Sequence, residues 1–160
     1  MALTTNKKVL IYRFQRDPVP GFVQTNAWLK PEGIELLTQS GVVTTLPWPE
    51  AKMVHFVRDF TADPLAGARR AFLSRPKMDG LWVRLAFRDG DMLEGVMPNN
   101  LLFMETEGLH IIPPDSAQRV FVPRSALTSV AVLGVVGSPL RSGKSKKPGE
   151  GKVQIGLFES

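Results

Sequence analysis

Residues 81–96 read LWVRLAFRDGDMLEGV, and no other part of the chain states its local structure so plainly. Leu81, Val83, Leu85 and Phe87 alternate with Trp82, Arg84, Ala86 and Arg88, the period of two that turns one side of a strand toward a core. Asp89-Gly90 supplies the positive dihedrals of a tight hairpin, and residues 92–96 return as the second strand. Gly95 interrupts that return, where a missing side chain permits a bulge or a sharp bend.

The same order of signals occurs earlier, in VLIYRFQRDPVPGFV at residues 9–23. Both copies continue with a Gly that leads four mostly apolar residues and then with a Pro-started run. Gly21 matches Gly95, Gly33 matches Gly108, Pro47 matches Pro123 and Val54 matches Val130, at offsets of 74, 75, 76 and 76. Drifts of one residue belong in turns, which tolerate insertions. A fixed-period echo of this kind marks a duplicated folding unit. The first copy reads as strands at 9–14, 22–29, 34–38, 42–46 and 51–56, with Asp17-Pro18 and Pro20-Gly21 breaking the first from the second. The second copy reads as strands at 81–88, 92–96, 109–112, 120–122 and 126–136. The expected architecture is mainly β: two tandem five-stranded small barrels at 7–58 and 81–137.

Residues 59–80 join the copies and carry the single helix signal, at about 64–74. Asp63 is placed to cap it, Pro64 suits its first position, and Pro76 stops it. Leu65, Ala68, Phe72 and Leu73 then fall on one face, with Arg69 and Arg70 away from it. Residues 138–160 form a basic Gly/Lys/Ser-rich tail of disordered-like composition ending in the apolar segment VQIGLFES, which could add to a sheet as an edge strand.

The runs VRLAFRDGDMLEGV and VPRSALTSVAVL resemble the opening hairpin and closing strands of SH3-like and Sm-like small barrels, here a tandem bacterial type. The resemblance covers residues 9–57 and 81–136. It implies a non-catalytic binding or regulatory module, engaging RNA through loops or protein through an exposed strand edge. RRAFLSRP followed by LEGVMPNNLLFMETEGLHI is also similar to a PilZ domain, which implies cyclic di-GMP held by Arg69, Arg70 and Arg75. The residues alone favour reading those arginines as the solvated face of a helix.

Charge divides by region. Of 20 Lys and Arg against 15 Asp and Glu, residues 141–152 alone hold five bases and one acid. The body is nearly neutral, which favours a protein or peptide partner. Nucleic acid remains the alternative, contacted through Lys7, Lys8, Arg13 and Arg16 and through Lys144, Lys146 and Lys147 of the tail, with affinity that would fall in salt. The first copy is net basic and the second net acidic, and oligomer formation is left open.

No catalytic constellation emerges, so the expectation is a protein that is not an enzyme and that carries no cofactor or metal. His55 and His110 do not occupy matching positions, and zinc usually needs about four ligands. Asp89, Asp91 and Glu94 form an acidic hairpin that serves turn geometry and solubility. Ser116 and Ser125 lack a base, and the GKS at 143–145 lacks the phosphate-loop spacing. Trp48, between two prolines, reads as the cover of a barrel end. With no cysteine and no apolar run of about 18 residues, the expected location is cytoplasmic, without a membrane span.

Overall fold

The computed structural model describes residues 6–61, 67–98, 104–116 and 118–137. β1 (Asn6–Arg13) and β2 (Arg16–Gln24) form the first hairpin, closed at Gln15 by a positive φ of 59°. Pro18 and Pro20, expected to break the chain, lie inside β2. They are tolerated because the next strand touches β2 only at Gly21 and Phe22, so residues 16–20 form an edge that needs no second set of N–H donors.

β3 (Gly33–Thr38) and β4 (Val43–Pro47) continue the meander. A single 3-10 turn at Trp48–Glu50 leads into β5 (Ala51–Phe56), which returns to pair with β1. The second copy repeats these elements. β6 (Gly80–Phe87) and β7 (Met92–Met97) form its hairpin, whose turn holds Gly90 at positive φ. β8 (Met104–Glu105), β9 (Gly108–Ile111) and β10 (Val120–Pro123) follow, then a 3-10 turn at Arg124–Ala126 and β11 (Leu127–Val136), which returns to β6.

The duplication extends to individual contacts. Leu29 bridges Ile34 as Met104 pairs with Leu109, and Phe22 pairs with Leu37 as Val96 bridges Ile112. The amide of Trp48 donates to the Glu32 carbonyl, and that of Arg124 donates to the Glu107 carbonyl. Gly21 and Gly95 are glycines for one reason. A Cβ on them would stand 2.7 Å from Leu36 Cδ1 and 2.6 Å from Ile111 Cδ1 respectively, so close packing rather than a bulge excludes a side chain.

The expected pair of barrels is corrected by the strand pairing. Eight strands form one antiparallel sheet in the order β4-β3-β2-β1-β5-β10-β9-β8, and β11-β6-β7 form a second sheet. Among the described residues neither repeat closes on itself, because the outer edge of β5 pairs with β10 of the other copy: Val120 faces His55 and Phe121 faces Val54. The physical reason is visible in β5, AKMVHF, all six residues of which are buried. A strand apolar at both parities must be covered on both faces.

Two cores result, each completed by the other repeat. Val9, Ile11, Trp28, Ile34, Val54 and Phe56 pack around Phe121 from β10. Val83, Leu85, Phe87, Ile111 and Val122 pack with Met53 from β5.

The linking helix is also corrected. Asp63, Pro64 and Leu65 lie outside the described residues, and from Gly67 to Arg75 the chain makes a turn and bends with no helix. Gly67 has φ 71°, and the backbone groups that would bond along a helix bond outward instead. The Glu94 amide donates to the Arg70 carbonyl, the Phe72 amide donates to the Glu94 carboxylate at 3.1 Å, and the Arg69 amide donates to Asp115 at 3.1 Å. So short a run, between Gly67 and Pro76, offers too few internal bonds to compete. Leu73, expected on the apolar face, is 80% exposed.

Candidate functional site

β11, LTSVAVLGVV, carries no charged residue and presents its outer edge without a strand partner among the described residues. Its counterpart by the repeat is β5, and burial separates the two. Val54 and Phe56 are 0% and 7% exposed, whereas the matching Val130 and Val132 are 45% and 60% exposed. Beside β11 runs an apolar groove of about 400 Å³, lined by Val83, Met97, Leu109, Leu127, Val130 and Val132. Register shifts after Leu127 and after Val132 bend the strand along this groove. At its far end the Arg75 guanidinium donates to the Val135 carbonyl. Unpaired N–H and C=O groups next to an apolar trough are what an extended peptide needs in order to add as a strand.

Charges cluster on the side where the two copies meet. The Lys52 ammonium is nearly buried, donates to Asp89 at 2.7 Å and also to Asp91, and lies 5.3 Å from the centre of the Phe87 ring. Burial would raise the Asp89 carboxyl, but Lys52 and the Asp91 amide outweigh it and hold the group below its ordinary value. Glu94 is buried too, and burial again opposes its charge. The Phe72 amide, the Trp82 indole at 3.0 Å and Arg84 at 3.1 Å together keep its pKa lowered. These carboxylates fasten the 67–78 segment and the β6–β7 hairpin, so the acidic hairpin of the sequence serves structure.

The residues expected to touch nucleic acid do not gather. Lys7 and Lys8 stand at one end of β1, with Lys8 5.8 Å over the Phe60 ring. Arg13 and Arg16 stand at the other end, about 20 Å away at the rise of a strand, where Arg13 donates to the Asp17 carbonyl and Arg16 pairs with Glu50. Lys144, Lys146 and Lys147 lie outside the described residues. The three arginines of the cyclic di-GMP reading take different partners: Arg69 pairs with Asp115 at 3.0 Å, Arg70 with Asp91 at 3.6 Å, and Arg75 reaches β11, while Arg69 lines one hollow with Arg70 and another with Arg75.

Sequence reasoning missed Arg119, whose guanidinium stacks 4.3 Å from the Phe56 ring where β5 and β10 join, and which lines a hollow of about 310 Å³ with Lys7 and Gln118. It also missed the open edge, although apolar residues at both parities of β11 signalled a strand meant to be covered twice. Trp48, expected to cover a barrel end, is half-buried against the first core, with its indole donating to the Lys30 carbonyl at 3.0 Å.

His110 meets Glu105 at 2.7 Å and His55 packs 5.0 Å from Tyr12. Among the described residues no group of three or more His, Asp or Glu could hold a metal ion, and no helix is long and apolar enough to cross a membrane.

No curated protein and no solved structure matches the chain. A family match runs from residue 5 to residue 134, through both repeats and short of the basic tail. The chain therefore belongs to the family of unknown function DUF6982.

Proposed function

We propose that the protein is a non-catalytic binding module of the cytoplasm that takes up an extended protein segment as an added strand along β11. The observation that carries this reading is the contrast between β5, buried at every residue, and β11, whose matching valines face solvent beside an apolar groove. Covering Val130, Val132 and Val135 removes apolar surface from water at about 25 cal/mol per Å², and the edge supplies main-chain hydrogen bonds that do not depend on the guest's sequence. Specificity then comes from alternate side chains of the guest entering the groove. The glycine and turn positions shared by the two copies support a distant tie to SH3-like and Sm-like barrels, some of which bind through a strand edge.

A selection from a display library of random peptides tests the reading. Enriched peptides should alternate apolar and polar residues, and their binding should slow amide hydrogen exchange across residues 127–133. Val132→Lys, at an exposed position, should abolish both effects. No enrichment, or binding that Val132→Lys leaves intact, overturns the proposal.

A further inference from the structure

We propose that the strand taken up by β11 is β4 of a second copy of this chain, so that copies join head to tail through a repetition of the seam that already unites the two halves. This rests on β11 as a strand-accepting edge and adds the identity of the guest.

Strand neighbours run β4, β3, β2, β1, β5, β10 and β9, whose other side meets the two-residue β8 and, across the Val96–Ile112 bridge, β7, followed by β6 and β11. By the offsets of the repeat, β11 is the counterpart of β5 and β4 is the counterpart of β10. The internal seam thus joins a fifth strand to a fourth strand of the other copy. One fifth strand, β11, and one fourth strand, β4, are left over, at opposite ends of the order. An interface between two different surfaces, used once inside a molecule, leaves one of each surface exposed and able to repeat it.

Burial, register and composition agree. At the seam Phe121 and Val120 are 0% exposed, whereas their counterparts Thr45 and Thr44 are exposed, next to Val43 at 64%. The internal register sets Val120 opposite His55 and Phe121 opposite Val54. Shifted by the repeat, it sets Thr44 opposite Ala131 and Thr45 opposite Val130. Free edges are normally blunted by charged side chains, yet neither β4, VTTLP, nor β11 contains one. Of the facing residues, Thr44, Thr45 and Val130 are β-branched and suit a paired strand, and Ala131 is small enough not to oppose it.

The seam between copies is weaker than the one within. Lys52, Asp89 and Asp91 become Thr128, Gln15 and Asp17, and Phe121 becomes Thr45, so the ion pairs and the aromatic knob are both missing. Assembly is accordingly reversible and dependent on concentration.

Sedimentation of the full chain over a concentration series should show mass rising from one chain to several. Val130→Lys and Thr45→Lys, both at exposed positions and checked for folding by circular dichroism, should each shift this assembly toward single chains. Each variant keeps one sound edge, so an equimolar mixture should form a dimer of one copy each and nothing larger. The inference is overturned by single-chain mass at every concentration or by assembly that either variant leaves unchanged. It is equally overturned by a mixture that stays single, or by a chain lacking residues 138–160 that assembles where the full chain does not, the tail then being the guest. A chain that stays single while its β11 still takes up selected peptides sinks this inference alone; the absence of both activities sinks the proposed function with it.

Discussion

Phe121 belongs to the second repeat by sequence and to the first by packing. Its ring lies 5.1 Å from Trp28 and 5.0 Å from His110, wholly removed from solvent. Phe121→Ala should therefore cost about 3–5 kcal/mol, read from chemical denaturation, although the residue sits on a four-residue strand. The titratable groups make a second prediction. Burial holds the His110 imidazole below its ordinary pKa against the pull of Glu105, and Arg119 adds to the lowering. A ring held neutral by folding stabilises fully above the unfolded value of about 6.5, and that contribution is lost as pH falls through the folded value. Glu94, with its lowered carboxyl, keeps its contribution above the unfolded value of about 4.3 and loses it only in stronger acid. Thermal unfolding across pH should decline in two stages, with His110→Asn removing the upper stage and Glu94→Gln reducing the lower, to which Asp89, also held low, contributes as well. A single stage that neither variant alters would refute the assignment.

Among elements, β5 and β11 hold matching positions in the repeat and differ in environment, which hydrogen exchange can read. In dilute protein the amides of Val54 and Phe56 should exchange slowest, while outward amides of residues 128–132 exchange with little protection. Equal protection in the two strands would contradict the open edge. The hairpin of residues 81–96 was legible because alternation and Asp89-Gly90 agree with one another. Pro18 and Pro20 misled because a proline reads as a break unless the strand is known to have a vacant edge there. The helix misled for a related reason: its capping signals were local, whereas Glu94 and Asp115, which capture its backbone groups, lie more than twenty residues away. Of the candidate site, the hydrophobicity of β11 was legible and its exposure was not, since exposure depends on which strand pairs with its outer edge. Lys7, Lys8, Arg13 and Arg16 were gathered into one site by proximity in sequence, and strand geometry separates them.

For the whole molecule, the exchange of Phe121 and Met53 across the β5–β10 seam means that neither half owns a finished interior. A polypeptide severed in the connecting segment, between Phe60 and Gly80, would yield one piece with a hole where an aromatic ring belongs and another lacking a methionine. Expressed apart, the pieces should be sticky and ill-folded. Brought together they should reconstitute the native assembly without any covalent link, which makes this duplicated protein a natural candidate for fragment complementation.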